Sequence, residues 1–115
     1  KIFNVNWFRT DDEGNFIWPG FGDNARVLNW IVDRCEGKAD AEETAIGYIP
    51  RPEDIDLTDL DMDRETLKGL LSVDKDIWEK EADEIEVHYR KFGDRLPHEL
   101  AEQLDTLRAN LAKMV

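Results

Sequence analysis

The chain has 115 residues, 41% of them hydrophobic and 37% charged, which fits one compact domain and excludes a full-sized multidomain enzyme. Its 15 Lys and Arg residues stand against 27 Asp and Glu residues, giving a formal net charge of -12. That sign is wrong for gripping a phosphate backbone or an anionic lipid surface. We therefore expect neither nucleic acid nor a membrane as a partner.

The single cysteine, Cys35, can form neither an internal disulfide nor a Cys-rich zinc site. The longest apolar stretches, such as 30–32, are a few residues long, whereas a membrane-spanning helix needs about 20. A reducing compartment is the default, and the cytoplasm is the simplest location. Because the first residue is Lys1 and not Met, we expect the chain to be part of something longer.

The N-terminal residues predict a β-hairpin. Residues 2–8 carry apolar side chains in both alternating sets, which is typical of a strand covered on both faces. Polar turn residues follow at 10–15, and the apolar pattern resumes at 16–18 before Pro19 ends it. We expect a buried strand over 2–8 that pairs with 16–18.

A helix is predicted next. Asp23 or Asn24 can act as its N-cap and Gly37 as its stop. Apolar residues recur between them at helical spacing, at Val27, Leu28, Ile31, Val32 and Cys35. Residues 45–49 then form a short apolar run that is either a second strand or an extended segment.

The C-terminal half is predicted to be mostly helical. Residues 53–65 hold seven acidic side chains and one basic one, with interleaved apolar residues that we expect to dock on the core. A short helix is predicted around 67–71. Two longer apolar stripes follow, at 78–92 and 100–111, and the short connection between them predicts an antiparallel helical hairpin.

The predicted fold class is therefore α+β. N-terminal hairpin strands would complete a larger sheet, and a mostly helical half with a helical hairpin would follow. We expect residues 1–115 to act as a single unit.

The densest chemical signal is the aromatic, glycine-rich segment at 16–24. Glycines on both sides of Phe21 let the backbone turn sharply and present the ring. Phe8, Phe16 and Phe21 could supply aromatic faces for a planar base, and Asn24 could read its edge. The alternative interpretation is a hairpin core in which Phe21 plugs a hydrophobic gap and Asn24 caps the helix.

Metal and catalytic sites are not expected. Asp59, Asp61, Asp63 and Glu65 alternate like an EF-hand, but that frame places Arg64 and Leu70 where Gly and Glu are needed. His88 and His98 lie on different predicted helices without a second ligand at the right spacing, so we expect His88 to be partly buried and His98 to face solvent. No nucleophile set emerges from the spacing, and no catalytic residue is assigned.

Residues 1–8 and 16–28 resemble the C-terminal part of GTP-dependent phosphoenolpyruvate carboxykinases. The most specific segment is Trp-Pro-Gly-Phe-Gly at 18–22, followed by an acidic residue and Asn24; the 45–50 run and the Trp78 helix follow in the family's order. The resemblance implies an enzyme that interconverts oxaloacetate and GTP with phosphoenolpyruvate, carbon dioxide and GDP, using Mn²⁺. It also implies that Phe8, Phe16 and Phe21 form a guanine pocket and that Asn24 contacts the base edge.

The resemblance also shows what the chain lacks. It has no GxxxxGK[ST] phosphate loop. In the family that loop, the manganese ligands, the oxaloacetate-binding arginines and the mobile lid all precede the matched region. We therefore expect the remainder of the enzyme, upstream of Lys1, as a partner and predict that the isolated chain is inactive. The alternative function is a stand-alone acidic interaction domain that binds a protein through its helical hairpin.

Overall fold

A computed structural model describes all residues, 1–115, and contains four α-helices and one two-stranded sheet. The elements in chain order are α1 (Asn24–Cys35), β1 (Glu42–Thr44), β2 (Gly47–Ile49), α2 (Arg64–Leu70), α3 (Lys75–Arg90) and α4 (His98–Ala112). The predicted α+β class is confirmed. The chain divides into two compact units, the first formed by Lys1–Glu42 with Tyr48–Ser72 and the second by Glu43–Gly47 with Val73–Val115.

The sheet is the hairpin of β1 and β2. Its turn depends on Gly47, whose φ of 119° is a conformation that residues with a Cβ rarely adopt. Thr44 Oγ1 donates to the Gly47 carbonyl oxygen at 2.7 Å and accepts from the Ile46 N–H at 3.3 Å. Of the two possibilities for residues 45–49, the structure shows that the last three form a strand.

The buried strand predicted over residues 2–8 is wrong. These residues form no strand, and Ile2 is fully exposed to solvent. A strand is held by backbone hydrogen bonds to a neighbouring strand, and residues 2–8 make no such bonds. One ring from this stretch does reach the core, since Phe3 packs edge-on against Trp30 with ring centroids 6.1 Å apart.

The predicted N-terminal hairpin is reduced to one antiparallel bridge, between Thr10 and Phe16. Its turn is organised by Asp11, whose Oδ1 accepts from the backbone N–H groups of Glu13 and Asn15, both at 2.9 Å. Hydrogen bonding from the Asn15 backbone is the main reason that the pKa of Asp11 is lowered. The turn therefore sets the position of Phe16 opposite Thr10.

The core of the first unit is built around the buried side chains of Trp30, Ile55 and Leu67. Helix α1 supplies Trp30, and α2 supplies Leu67. Ile55 comes from the acidic segment and is 1% exposed. Leu57 and Met62 of the same segment pack against this core, so the prediction that its apolar residues dock there is confirmed for these two and for Ile55.

The second unit is the helical hairpin of α3 and α4. Lys75, at the start of α3, donates from Nζ to the carbonyl oxygen of Met114 at 3.4 Å. Further along, Arg108 of α4 contacts Asp83 of α3 at 2.9 Å. The start of α3 therefore meets the end of α4, which confirms the antiparallel pairing. Ala82 and Leu111 are buried in this unit.

No helix of the chain combines the length and the apolar character required to cross a membrane.

Candidate functional site

Phe8 and Phe16 lie together on the N-terminal hairpin. Their ring centroids are 5.8 Å apart with an interplanar angle of 61°, an edge-to-face pair. The two segments are joined by the bridge between Thr10 and Phe16 and by a hydrogen bond from the Ile17 N–H to the Arg9 carbonyl at 3.0 Å. This pairing places the two rings side by side. Both rings are mostly exposed, at 68% and 64%. The hairpin thus presents an aromatic pair to solvent.

Phe21 lies in the short 3₁₀ turn Phe21–Asp23, which leads into α1. It is 92% exposed, so its ring packs against almost nothing. The interpretation in which Phe21 plugs a hydrophobic gap is therefore wrong. Gly20, with a φ of 136°, makes the sharp bend that lifts this ring away from the chain.

Asn24 is the first residue of α1 and receives a hydrogen bond from a neighbouring indole. Trp18 Nε1 donates to Asn24 Oδ1 at 2.7 Å. The cap position belongs to Asp23, whose side chain makes no capping bond and instead pairs with Arg26 at 3.0 Å. The interpretation of Asn24 as a helix cap is therefore wrong, because its side-chain oxygen is turned to Trp18.

Trp18 is a residue of this region that the sequence analysis missed. Its side chain is 7% exposed and packs against Trp7, with ring centroids 6.0 Å apart and an interplanar angle of 36°. A signal was present: an indole N–H only donates, and an amide with an accepting oxygen lies six residues later. The buried Trp18 thus supports the side chain of the partly buried Asn24.

Arg9 is a second residue that was missed. Its Nη1 donates to the Leu70 carbonyl at 2.9 Å, and its Nη2 donates to Ser72 Oγ at 3.2 Å. Leu70 is the last residue of α2, so the guanidinium binds carbonyl groups that a helix end leaves without partners. This anchor ties the hairpin, immediately after Phe8, to α2.

The chain's residues do not fit a manganese ion. No group of three or more His, Cys, Asp or Glu side chains is close enough together to hold a metal. The prediction that His88 is partly buried is wrong, since it is exposed and its ring packs on Phe92 at 5.3 Å. His98 is 82% exposed, as expected, and pairs with Glu102 at 2.9 Å.

Comparison with known proteins gives the family. Residues 1–110 match the model of the phosphoenolpyruvate carboxykinase C-terminal P-loop domain, in its GTP-dependent form. The chain belongs to this family. Residues 8–24, which hold the three phenylalanines, Trp18 and Asn24 and form segment 8–24, lie within the matched region.

Curated relatives of this carboxykinase domain agree. Proteins named phosphoenolpyruvate carboxykinase [GTP] match it from Treponema pallidum (strain Nichols), at 53% identity over 112 residues, and from Renibacterium salmoninarum, at 51% over 111 residues. Each alignment covers 96% of this chain and 18% of the relative. A relative from Corynebacterium glutamicum is 41% identical over 112 residues, covering 97% of this chain. The chain therefore spans about a fifth of the length of the curated relatives it matches.

The chemistry available at segment 8–24 of this carboxykinase domain is binding chemistry. Three exposed rings offer flat apolar faces, and one amide offers hydrogen bonds. No side chain of the segment forms a nucleophile and base pair of the kind that covalent catalysis needs.

Proposed function

We propose that segment 8–24 holds the base of a guanine nucleotide. Phe8, Phe16 and Phe21 would supply aromatic faces, and Asn24 would contact the base edge. Family membership supports this proposal, because the matching family and its curated relatives are named for GTP.

The observation that carries the proposal is that three phenylalanine rings remain in water. Fully burying a Phe side chain stabilises a fold by roughly 1.5–3 kcal/mol, so rings without a binding role are usually buried. Here their exposed fractions are 68%, 64% and 92%. Exposed aromatic residues that share a short segment with a polar amide are typical of a ligand surface.

Stacking on the rings would supply affinity for the base, and the positions of Phe8 and Phe16 indicate where the base would lie. Phe8 and Phe16 already touch each other edge-to-face, which leaves no slot between their rings. The base would therefore lie against the outer surface of this pair, with Phe21 closing over its other face. Each base–aromatic contact of this kind is worth on the order of 1–3 kcal/mol.

We infer that the chain acts as the guanine-binding end of the nucleotide-binding domain of a full-length phosphoenolpyruvate carboxykinase (GTP). That enzyme would be a lyase that interconverts oxaloacetate and GTP with phosphoenolpyruvate, carbon dioxide and GDP. Mn²⁺, when bound, would supply the positive charge that stabilises the enolate and the transferring phosphoryl group, and its ligands would lie outside this chain. A cytoplasmic location is part of this proposal, and the free thiol of Cys35 suits its reducing conditions.

The isolated chain would be catalytically silent. Its net charge of -12 repels a nucleotide's phosphates, and it has no GxxxxGK[ST] segment to hold them. A mixture of the chain with oxaloacetate, GTP and Mn²⁺ is expected to yield no phosphoenolpyruvate above the rate without protein.

The test of the base site is Phe21→Ala in the intact enzyme. Losing one stacking face should raise the KM for GTP by about 5- to 150-fold, which corresponds to 1–3 kcal/mol, while the KM for oxaloacetate stays unchanged. The matched control is Phe92→Ala, which removes a 44% exposed ring from the second unit and should leave the KM for GTP unchanged. An unaltered KM for GTP in Phe21→Ala would refute the assignment of Phe21.

A further inference from the structure

We propose that Trp18 is a positioning residue that orients the carboxamide of Asn24, so that its N–H groups face the base and select a purine carrying an oxygen at position 6. This inference rests on the proposed function, since it assumes that a base lies beside Asn24. It adds a residue that makes no contact with the base itself.

The orientation follows from the chemistry of the two side chains. An indole N–H can only donate a hydrogen bond, whereas an asparagine amide has one accepting end and one donating end. The contact of 2.7 Å between Trp18 and Asn24 is therefore possible only when Oδ1 faces the indole. The reversed amide would set N–H against N–H. Consequently, Nδ2 and its two donors point away from Trp18.

The two partners are both held in place. Trp18 is almost completely buried and packs against Trp7, so its ring has little freedom to turn. The backbone N–H of Asn24 donates to the Phe21 carbonyl, which fixes the residue at the start of α1. An amide fixed from both its backbone and its side-chain oxygen loses little further entropy when it binds a ligand.

An amide that presents N–H donors discriminates between the purines. Guanine carries an accepting oxygen at position 6, with the N7 acceptor beside it, whereas adenine carries an amino group at position 6 that donates. Adenine in the same pose would place its amino group against the N–H groups of Asn24. Two donors facing each other in a partly buried site remain unpaired, and that cost rejects the wrong base.

A purely structural role predicts something different. If the hydrogen bond to Asn24 serves only to give the buried Trp18 N–H an acceptor, Trp18→Phe should weaken the fold without altering the preference between guanine and adenine. If Trp18 orients Asn24, the same variant frees the amide to rotate and to present either end to the ligand. The preference between guanine and adenine then separates the two roles.

The experiment measures the Kd of GDP and of ADP for the intact enzyme and for Trp18→Phe. We expect the Kd of ADP divided by the Kd of GDP to fall by about fivefold, toward no preference, since one hydrogen bond is worth about 1 kcal/mol. At saturating GTP, kcat should change by less than about twofold. The matched control is Trp78→Phe, the same chemical change in α3, which should leave the ratio unchanged.

A second variant keeps the test decisive. Asn24→Asp retains an oxygen for Trp18 but replaces the donors by another acceptor, so it should weaken GDP binding and improve ADP binding relative to wild type. In spectra of protein with ¹⁵N-labelled tryptophan, Asn24→Ala should also shift the indole N–H signal that Trp18→Phe removes.

These measurements separate failure of the positioning role of Trp18 from failure of the base site. If Phe21→Ala and Asn24→Asp both leave GDP binding unchanged, the proposed function itself fails. If those two variants weaken GDP binding while Trp18→Phe keeps the wild-type ratio of Kd values, the base site stands and the positioning role of Trp18 is overturned.

Discussion

Arg51 donates three hydrogen bonds to the Asp54 carboxylate immediately before the buried Ile55. The backbone N–H and Nε of Arg51 donate to Asp54 Oδ2 at 3.0 and 3.1 Å, and Nη2 donates to Oδ1 at 3.3 Å. Burial of the Asp54 carboxyl opposes its ionisation, but the hydrogen bonds from Arg51 outweigh it, and its pKa lies below the usual 3.8. The pair therefore fixes the chain where it enters the core.

The first prediction concerns pH. Because the pKa of Asp54 is lower in the folded than in the unfolded state, its stabilising effect is present above pH 3.8 and is lost as the pH falls through the folded value. Asp54→Asn should thus unfold at lower urea than wild type at pH 7. The difference between the two should shrink steadily as titrations are repeated down to pH 2. A difference that is constant across this range would show that the charge plays no part.

The second prediction concerns the core of the first unit. Ile55→Ala should lower the free energy of unfolding by about 2–5 kcal/mol, because it leaves a cavity beside Trp30 and Leu67. Ile55→Val should cost only about 0.5–1.5 kcal/mol. The control is Ile2→Ala, at a fully exposed position, with an expected change within about 0.5 kcal/mol. Equal losses for Ile55→Ala and Ile2→Ala in urea titrations would contradict the assigned core.

The third prediction concerns the start of α3. Asp74 accepts a hydrogen bond from the Ile77 N–H at 3.0 Å and so satisfies one of the free donors at the helix N-terminus. Asp74→Ala should destabilise the protein by about 1 kcal/mol, whereas Asp74→Ser keeps an accepting oxygen and should retain most of the stability. Thermal unfolding followed by circular dichroism measures both. If Asp74→Ala and Asp74→Ser both melt at the wild-type temperature, the cap has no role in stability.

The fourth prediction concerns the packing of the second unit. Ala82 is completely buried on α3, so Ala82→Leu should force neighbouring side chains apart and cost about 1–3 kcal/mol. Ala109→Leu makes the same change at an exposed position of α4 and should be nearly neutral. Chemical denaturation of both variants measures the contrast. A neutral Ala82→Leu would mean that a space exists beside residue 82.

The helices were predictable because their signals are local. The Asp74 cap, the apolar stripe from Trp78 to Phe92 and the nearby Pro97 all lie within the segments that they organise. The strand over residues 2–8 was not predictable, because a strand requires a partner that its own sequence does not specify. The pattern correctly showed apolar residues, but it could not show whether a neighbouring strand was present.

The candidate site divides in the same way. Glycines around Phe21 indicated an exposed ring, and the structure shows one. The contact between Phe8 and Phe16 depends on the register of the hairpin, and the support of Asn24 by Trp18 depends on how two side chains rotate. Neither register nor rotation is encoded in residue spacing, so the sequence yields the residue types of the site and not their orientation.

The apolar N-terminal stretch has a consequence for handling the protein. Ile2, Phe3, Val5 and Phe8 all retain at least 37% of their surface in water, on a backbone without strand partners. Such a segment can template pairing between molecules. The net charge of -12 keeps copies apart at low ionic strength. Because added salt shortens the range of that repulsion, concentrated solutions of the chain should self-associate more readily as ionic strength rises.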